Sequence, residues 1–160
     1  MEGIEIILRM IDEAFDHKSW HGTNLRGSIR GVGFRQALWR PYPSRHNIWE
    51  IVIHTAYWKY AVRRRLQNEP VGSFALKGSN WFERPAGDAG GANQWNSDVA
   101  LLVSGHRSLR DAVAGLAPEQ LDRPPVKSKV STVSILTGIA AHDLYHAGQI
   151  QLLKRLYKNR

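Results

Sequence analysis

No cysteine occurs anywhere in the 160 residues. That excludes a disulfide framework, a protein thiolate nucleophile and any Cys-based metal site, so a metal would have to sit on His, Asp, Glu or water. Long apolar runs are also missing. None approaches the ~20 residues that cross a bilayer, and no membrane partner is expected. The opening segment, MEGIEIILRMIDEAF, mixes acidic with apolar residues and has neither a basic lead nor a small-residue cleavage site. It does not read as a signal peptide, and the expected location is the cytoplasm. Acidic residues are scarce, 14 against 22 Lys and Arg, which leaves a net charge of +8. Such an excess raises nucleic acid as a partner. The basic residues, however, follow no helix-turn-helix, zinc-finger or Gly-rich-loop pattern. The densest groups, Arg63-Arg64-Arg65 and Lys154 to Arg160, fall at helix ends, where cations complement the helix dipole. Nucleic acid is therefore not expected as a partner.

What the chain does contain is apolar and aromatic. It is 42% hydrophobic, with six Trp, five Tyr and four Phe, which argues against intrinsic disorder. The length suits one sizeable core and is short for two, so residues 1–160 read as a single domain.

Helical periodicity appears four times. The first helix starts near Gly3 and runs at least to Asp16, with Ile4, Ile7, Ile11 and Phe15 on one stripe. A further helical piece covers Asn24 to about Arg30, and Pro41-Tyr42-Pro43-Ser44 is a break. The second long helix begins after Ser44, with Asn47 as cap and Glu50 three residues later, and reaches about Leu66. Ile51, His54, Trp58 and Ala61 share a face. Asn68 to Ala92, with Pro70, Pro85 and five glycines, reads as one long loop that spans the bundle or covers a site. The third helix runs from about Gln94 to Leu116, with Trp95, Val99, Leu102, His106, Leu109, Val113 and Leu116 as its seam. After the Pro118 to Lys129 connector, the fourth starts near Ser131 or Thr132 and ends about Tyr157. Its seam reads Ile135, Ile139, His142, His146, Gln149 and Leu153. Val71 to Leu76 is the only candidate strand. The pattern specifies an all-α fold, a four-helix bundle.

Two histidines four apart leave a helix on the same face, and here that face is apolar. A buried neutral imidazole must satisfy one donor and one acceptor nitrogen, so His142 and His146 side by side are costly unless something takes their lone pairs. A divalent cation does so, and His54 on another inward seam is the natural third ligand. Three imidazoles leave coordination positions open, as in catalytic sites. Zinc or nickel fits such a donor set, as do iron and manganese. His106 reads as a core histidine or a fourth ligand, and His21 as a near-site residue. His17 and His46 read as surface or cap positions. Gln149, one turn beyond His146, could bond a metal-bound water or substrate, while Trp58 and Tyr145 could wall a pocket. Glu50 reads first as a capping-box residue, and second as an acceptor that orients a ligating imidazole. Asp143 reads as solvated or tied to another helix, or as a carboxylate behind a ligand.

Three segments resemble the DinB-like, metal-binding helical bundle family: GIAAHDLYHAGQIQLLKRL from Gly138, NIWEIVIHTAYWKYAVRRRL from Asn47, and SWHGTNL from Ser19. The resemblance implies an up-down-down-up bundle with long connections, a homodimer, and a divalent metal on one histidine of the second long helix and two of the fourth. By position these are His54, His142 and His146. Asp143 stands where many members have Glu. Some relatives are thiol-dependent transferases or isomerases, so the resemblance also implies a low-molecular-weight thiol as cofactor and a small-molecule substrate. The expected function is a metal-dependent enzyme that transfers or adds such a thiol to a small electrophile. The alternatives are a metal-dependent hydrolase and a non-enzymatic metal- or ligand-binding bundle. Hydrolysis ranks second because the seams offer no carboxylate base, only His106 or His21.

Overall fold

Two of the long helices begin at side-chain caps. Asn47 Oδ1 accepts from Glu50 N at 2.8 Å while the Glu50 carboxylate accepts from Asn47 N at 3.3 Å, a complete capping box. Ser131 caps the last helix through Ser134 N. The computed structural model describes residues 3–84 and 91–160. Four long helices, α1 (Gly3–Phe15), α4 (Ile48–Leu66), α5 (Gly91–Ala114) and α6 (Thr132–Lys158), carry the fold. Two short ones, α2 (Leu25–Ile29) and α3 (Phe34–Leu38), lie between α1 and α4, and a 3-10 turn covers Pro118–Gln120. No strand occurs among the described residues. No described helix is long and apolar enough to cross a membrane.

Helix directions follow from the contacts. Asp12 meets Arg110 and Phe15 meets His106, so α1 and α5 run antiparallel. Trp49 meets Trp95 and Asp98, while Ala56 and Lys59 approach Gly105, so α4 and α5 run parallel. Along α6 the order reverses: Ile51 lies with Leu153, His54 with His146, and Lys59 with Asp143. The path is up-down-down-up. Two parallel neighbours need a connection as long as the bundle, which explains the length of the segment after α4. Tyr60 Oη fastens its start, accepting from Gly72 N and Ser73 N at 3.2 Å each.

Several readings of the sequence need correction. Val71 to Leu76 forms no strand. It bends, and Phe74 and Leu76 pack against the core where no partner strand exists. The inward face of α6 is broader than one seam: Leu136, Ala140, Asp143, Ala147 and Ile150 are buried, while Ile135, His142 and Gln149 are only half-buried. The reason is that α6 packs against α1, α2 and α4 together. Helix α3 escapes periodicity because five residues do not complete two turns. It matters for packing, since a Cβ on Gly91 would come within 2.6 Å of the Phe34 ring. Pro85, Gly87 and Gly90, read as part of the long loop, lie outside the described residues.

The core has two apolar parts. One gathers Phe15, Leu25, Trp49, Trp95, Leu102 and Ile150, and the other Ile4, Ile7, Ile11, Leu109, Val113, Leu136 and Ile139. On α4, α5 and α6 a buried polar residue falls between the two parts: Lys59, His106 and Asp143. Lys59 Nζ donates to Asp143 Oδ2 at 2.5 Å and lies 4.8 Å from the centre of the Phe15 ring. Phe15 also stacks on His106 at 3.7 Å. The bundle therefore carries a polar layer across its middle.

Candidate metal centre

His54 sits in the second turn of α4, on a stretch buried almost all round. His142 and His146 project from α6, the helix that runs antiparallel to it. The structure brings the three together. His54 Nε2 lies 3.0 Å from His142 Nε2, which lies 3.1 Å from His146 Nε2. The ligand atoms of all three fall within 4.8 Å of one another.

The outer nitrogens settle the tautomers. His54 Nδ1 bonds the Asn80 carbonyl oxygen at 2.9 Å, and a carbonyl only accepts, so Nδ1 carries the proton. His146 Nδ1 likewise donates to Gln149 Oε1 at 2.7 Å, and Gln149 Nε2 in turn donates to Tyr145 Oη at 3.0 Å. Both inward Nε2 atoms are therefore bare lone pairs. His142 stands between them with one proton to place. If Nε2 carries it, the buried Nδ1 has no partner; if Nδ1 carries it, three lone pairs face one another. Neither arrangement satisfies the cluster without a positive centre. Two of the three separations are near 3 Å, close to those of imidazole nitrogens sharing one cation at ~2.1 Å. The donor set thus fits a divalent metal.

Electrostatics agree. Burial, then His146, His54 and Lys59, bring the His142 imidazole down to about 3. Burial brings His146 to about 4 against the opposing bond to Gln149, and burial lowers His54. All three are neutral at pH 7, the form that binds a metal.

The segment after α4 covers the site. Asn80, in the left-handed region at φ 66°, offers its carbonyl to His54 and its side-chain Oδ1 to Trp58 Nε1 at 3.0 Å. Trp81 stacks on His54 at 3.8 Å and 9°. Its other face stacks on His46 at 3.6 Å and 2°, so one indole separates two imidazoles. Beside this stack opens a pocket of about 470 Å³, lined by Ile51, Trp81, Tyr145, Leu152 and Leu156 and by the polar His46, His146 and Gln149.

The other sequence candidates are placed as follows. Trp58 flanks the cluster edge-on, 6.4 Å from His54 and 6.3 Å from His142. Gln149 supports His146 from outside. His106 does not join them: it is buried in the polar layer, where burial and then Lys59 and Arg110 bring it to about 3. Neutral at that value, it makes no ion pair with Asp12 at 3.8 Å. His21 is exposed in the turn after α1, with no hydrogen bond or ring contact to the cluster among the described residues. Glu50 orients no ligand; it is held by Arg40 at 2.5 and 3.0 Å and by His46 at 3.1 Å. Asp143 is tied to α4 through Lys59, not to His142, and burial pushes its carboxyl up against the pull of that ammonium. Sequence reasoning missed Lys59, Asn80, Trp81 and the role of His46. Only Lys59 had left a signal, as a lone charge on the Thr55–Ala56–Val62 face.

Fold and site define an all-α bundle with a three-histidine cluster, a combination compatible with a metal-binding protein. The family model described as the DinB superfamily matches residues 19–150, and the chain belongs to that superfamily. No curated protein and no solved structure gives a significant match.

Proposed function

We propose that the protein is a metal-dependent enzyme that holds one divalent cation on His54, His142 and His146, zinc or nickel before iron or manganese. Its reaction in this reading is the transfer of a low-molecular-weight thiol to a small electrophile, in the cytoplasm. The observation that carries it is the convergence of three Nε2 atoms, two of them bare because their Nδ1 protons are given outward. A bound divalent cation would favour the thiolate over the thiol. The chain would supply the rest: Asn80 and Gln149 fix the imidazoles, and Trp81, Tyr145 and Leu152 give an organic electrophile an apolar wall. A chain without cysteine takes its sulfur nucleophile from outside. A closed structural site would have no use for a solvent-open pocket beside a ligand. A homodimer of the 18.1 kDa chain belongs to the same proposal, and sedimentation at twice that mass is the expected result.

The test is direct. Zinc-loaded protein is mixed with 2-mercaptoethanol and, in turn, an aryl halide, an epoxide and an α-bromoketone. Thioether formation faster than in solution with at least one, abolished by H142A, is expected. Acceleration with none, in protein that contains metal, counts against transfer. Ester hydrolysis without thiol would point to the hydrolase alternative.

A further inference from the structure

The proposed chemistry turns a thiol into a thiolate, so a proton must leave sulfur, and none of the three cluster imidazoles is free to take it. Two of them already hold their protons outward on Nδ1, and their inward lone pairs belong to the cation. The other histidine that lines the pocket is His46. It sits just before the Asn47 cap and lines the same pocket as His146 and Gln149.

Two contacts fix it. Its Nδ1 lies 3.1 Å from Glu50 Oε2. A carboxylate only accepts, so Nδ1 carries the proton and Nε2 keeps its lone pair. Glu50, itself buried, is held by two bonds from Arg40, at 2.5 and 3.0 Å. Burial alone would raise its carboxyl, but the bonds from Arg40 and His46 bring it below the usual range, so it stays an anion. The His46 ring is also pressed flat on Trp81, whose other face lies on His54. A surface histidine needs none of this. A carboxylate behind one imidazole nitrogen of a histidine that lines a pocket is the arrangement that lets histidine take a proton and stabilises the imidazolium formed.

We infer that His46 is the proton acceptor of this site, positioned by the Arg40–Glu50 pair and the Trp81 stack to deprotonate the thiol nucleophile. The inference rests on the thiol reading above. In the step, the S–H bond breaks and its electron pair stays on sulfur. The proton bonds to His46 Nε2, and Glu50 remains a carboxylate that accepts from the imidazolium Nδ1–H. No oxidant or reductant takes part. The charged groups around the ring are Glu50 and Arg40, with Arg45, Glu83 and Arg84 on the cleft behind it.

The experiment compares cobalt-loaded wild type with H46Q, in which the side-chain amide can still donate to Glu50. Both are titrated with 2-mercaptoethanol near neutral pH in weak buffer. Sulfur-to-cobalt charge-transfer absorption reports thiolate at the metal, and a pH indicator counts protons released. The expected result is the same absorption in both, with fewer protons released per thiolate by wild type because His46 keeps part of them. Equal release from both proteins overturns the role of His46 and leaves the thiol reading intact. Absorption lost in H46Q together with its metal makes His46 a structural residue and also overturns it. No absorption in wild type removes the thiol reading, and this inference with it.

Discussion

At His54 and His146 the nitrogen that faces away from the cluster matters as much as the one that faces in. Asn80 and Gln149 each hold an Nδ1 proton, and so aim a bare Nε2 at the shared point. Outer partners of this kind typically carry 10–100-fold in metal affinity. Q149L should therefore weaken zinc binding by roughly that factor while leaving the fold intact, as read by competition with a chromogenic chelator. The low proton affinity of the imidazoles gives a second expectation. A site of ordinary histidines loses zinc affinity as pH falls through 6.5. Here burial lowers all three imidazoles, His142 to about 3 and His146 to about 4, so the fall in affinity should begin below pH 6.5. A decline that begins at 6.5 would contradict that assignment. The three histidines were legible because helical spacing alone puts His142 and His146 on one face. Asn80, Trp81 and His46 were not. Their positions depend on how an aperiodic segment folds back over α4, and no spacing rule encodes that.

At the scale of elements, α4 is tied to α6 inside the bundle by an ion pair with almost no access to water. Lys59 is 0% exposed and Asp143 1%. Removing one partner of a buried pair leaves an uncompensated charge and costs about 3–5 kcal/mol, whereas replacing both with apolar residues is often neutral. K59M and D143L should each lower the urea midpoint strongly, and the double variant should recover most of the loss. If the double variant adds the two losses instead, the pair is not the reason for the burial. The Asn47 cap is a smaller tie, and N47A should cost about 1 kcal/mol. Both elements joined here were readable in the sequence, cap included. The width of the α6 face was not, because a helix packed on three neighbours buries residues such as Asp143 that a single seam assigns to water.

For the whole molecule, the polar layer makes stability depend on pH. The unfolded chain takes up a proton on His106 below pH ~6.5, while the folded core refuses it until about 3. Stability is then fully present above 6.5 and is lost as pH falls toward 3. Urea unfolding at pH 7 and pH 5 should show wild type weakening on acidification, and H106L weakening less. The metal adds a further global term if it binds only the folded state: ligand at 100 times its Kd contributes ~2.7 kcal/mol. The up-down-down-up path followed from the family resemblance, and the structure explains it through the parallel α4–α5 pair and the long crossover that such a pair requires.

The central claim is that His54, His142 and His146 hold one metal ion. The most direct measurement is metal content by inductively coupled plasma mass spectrometry, on protein purified without affinity tag or chelator. Wild type is compared with H54A, H142A and H146A, each checked for helicity by circular dichroism. Near-stoichiometric metal in wild type, lost from all three folded variants, is the predicted result. Wild type that carries no metal and takes up none from added zinc, nickel, iron or manganese would contradict it.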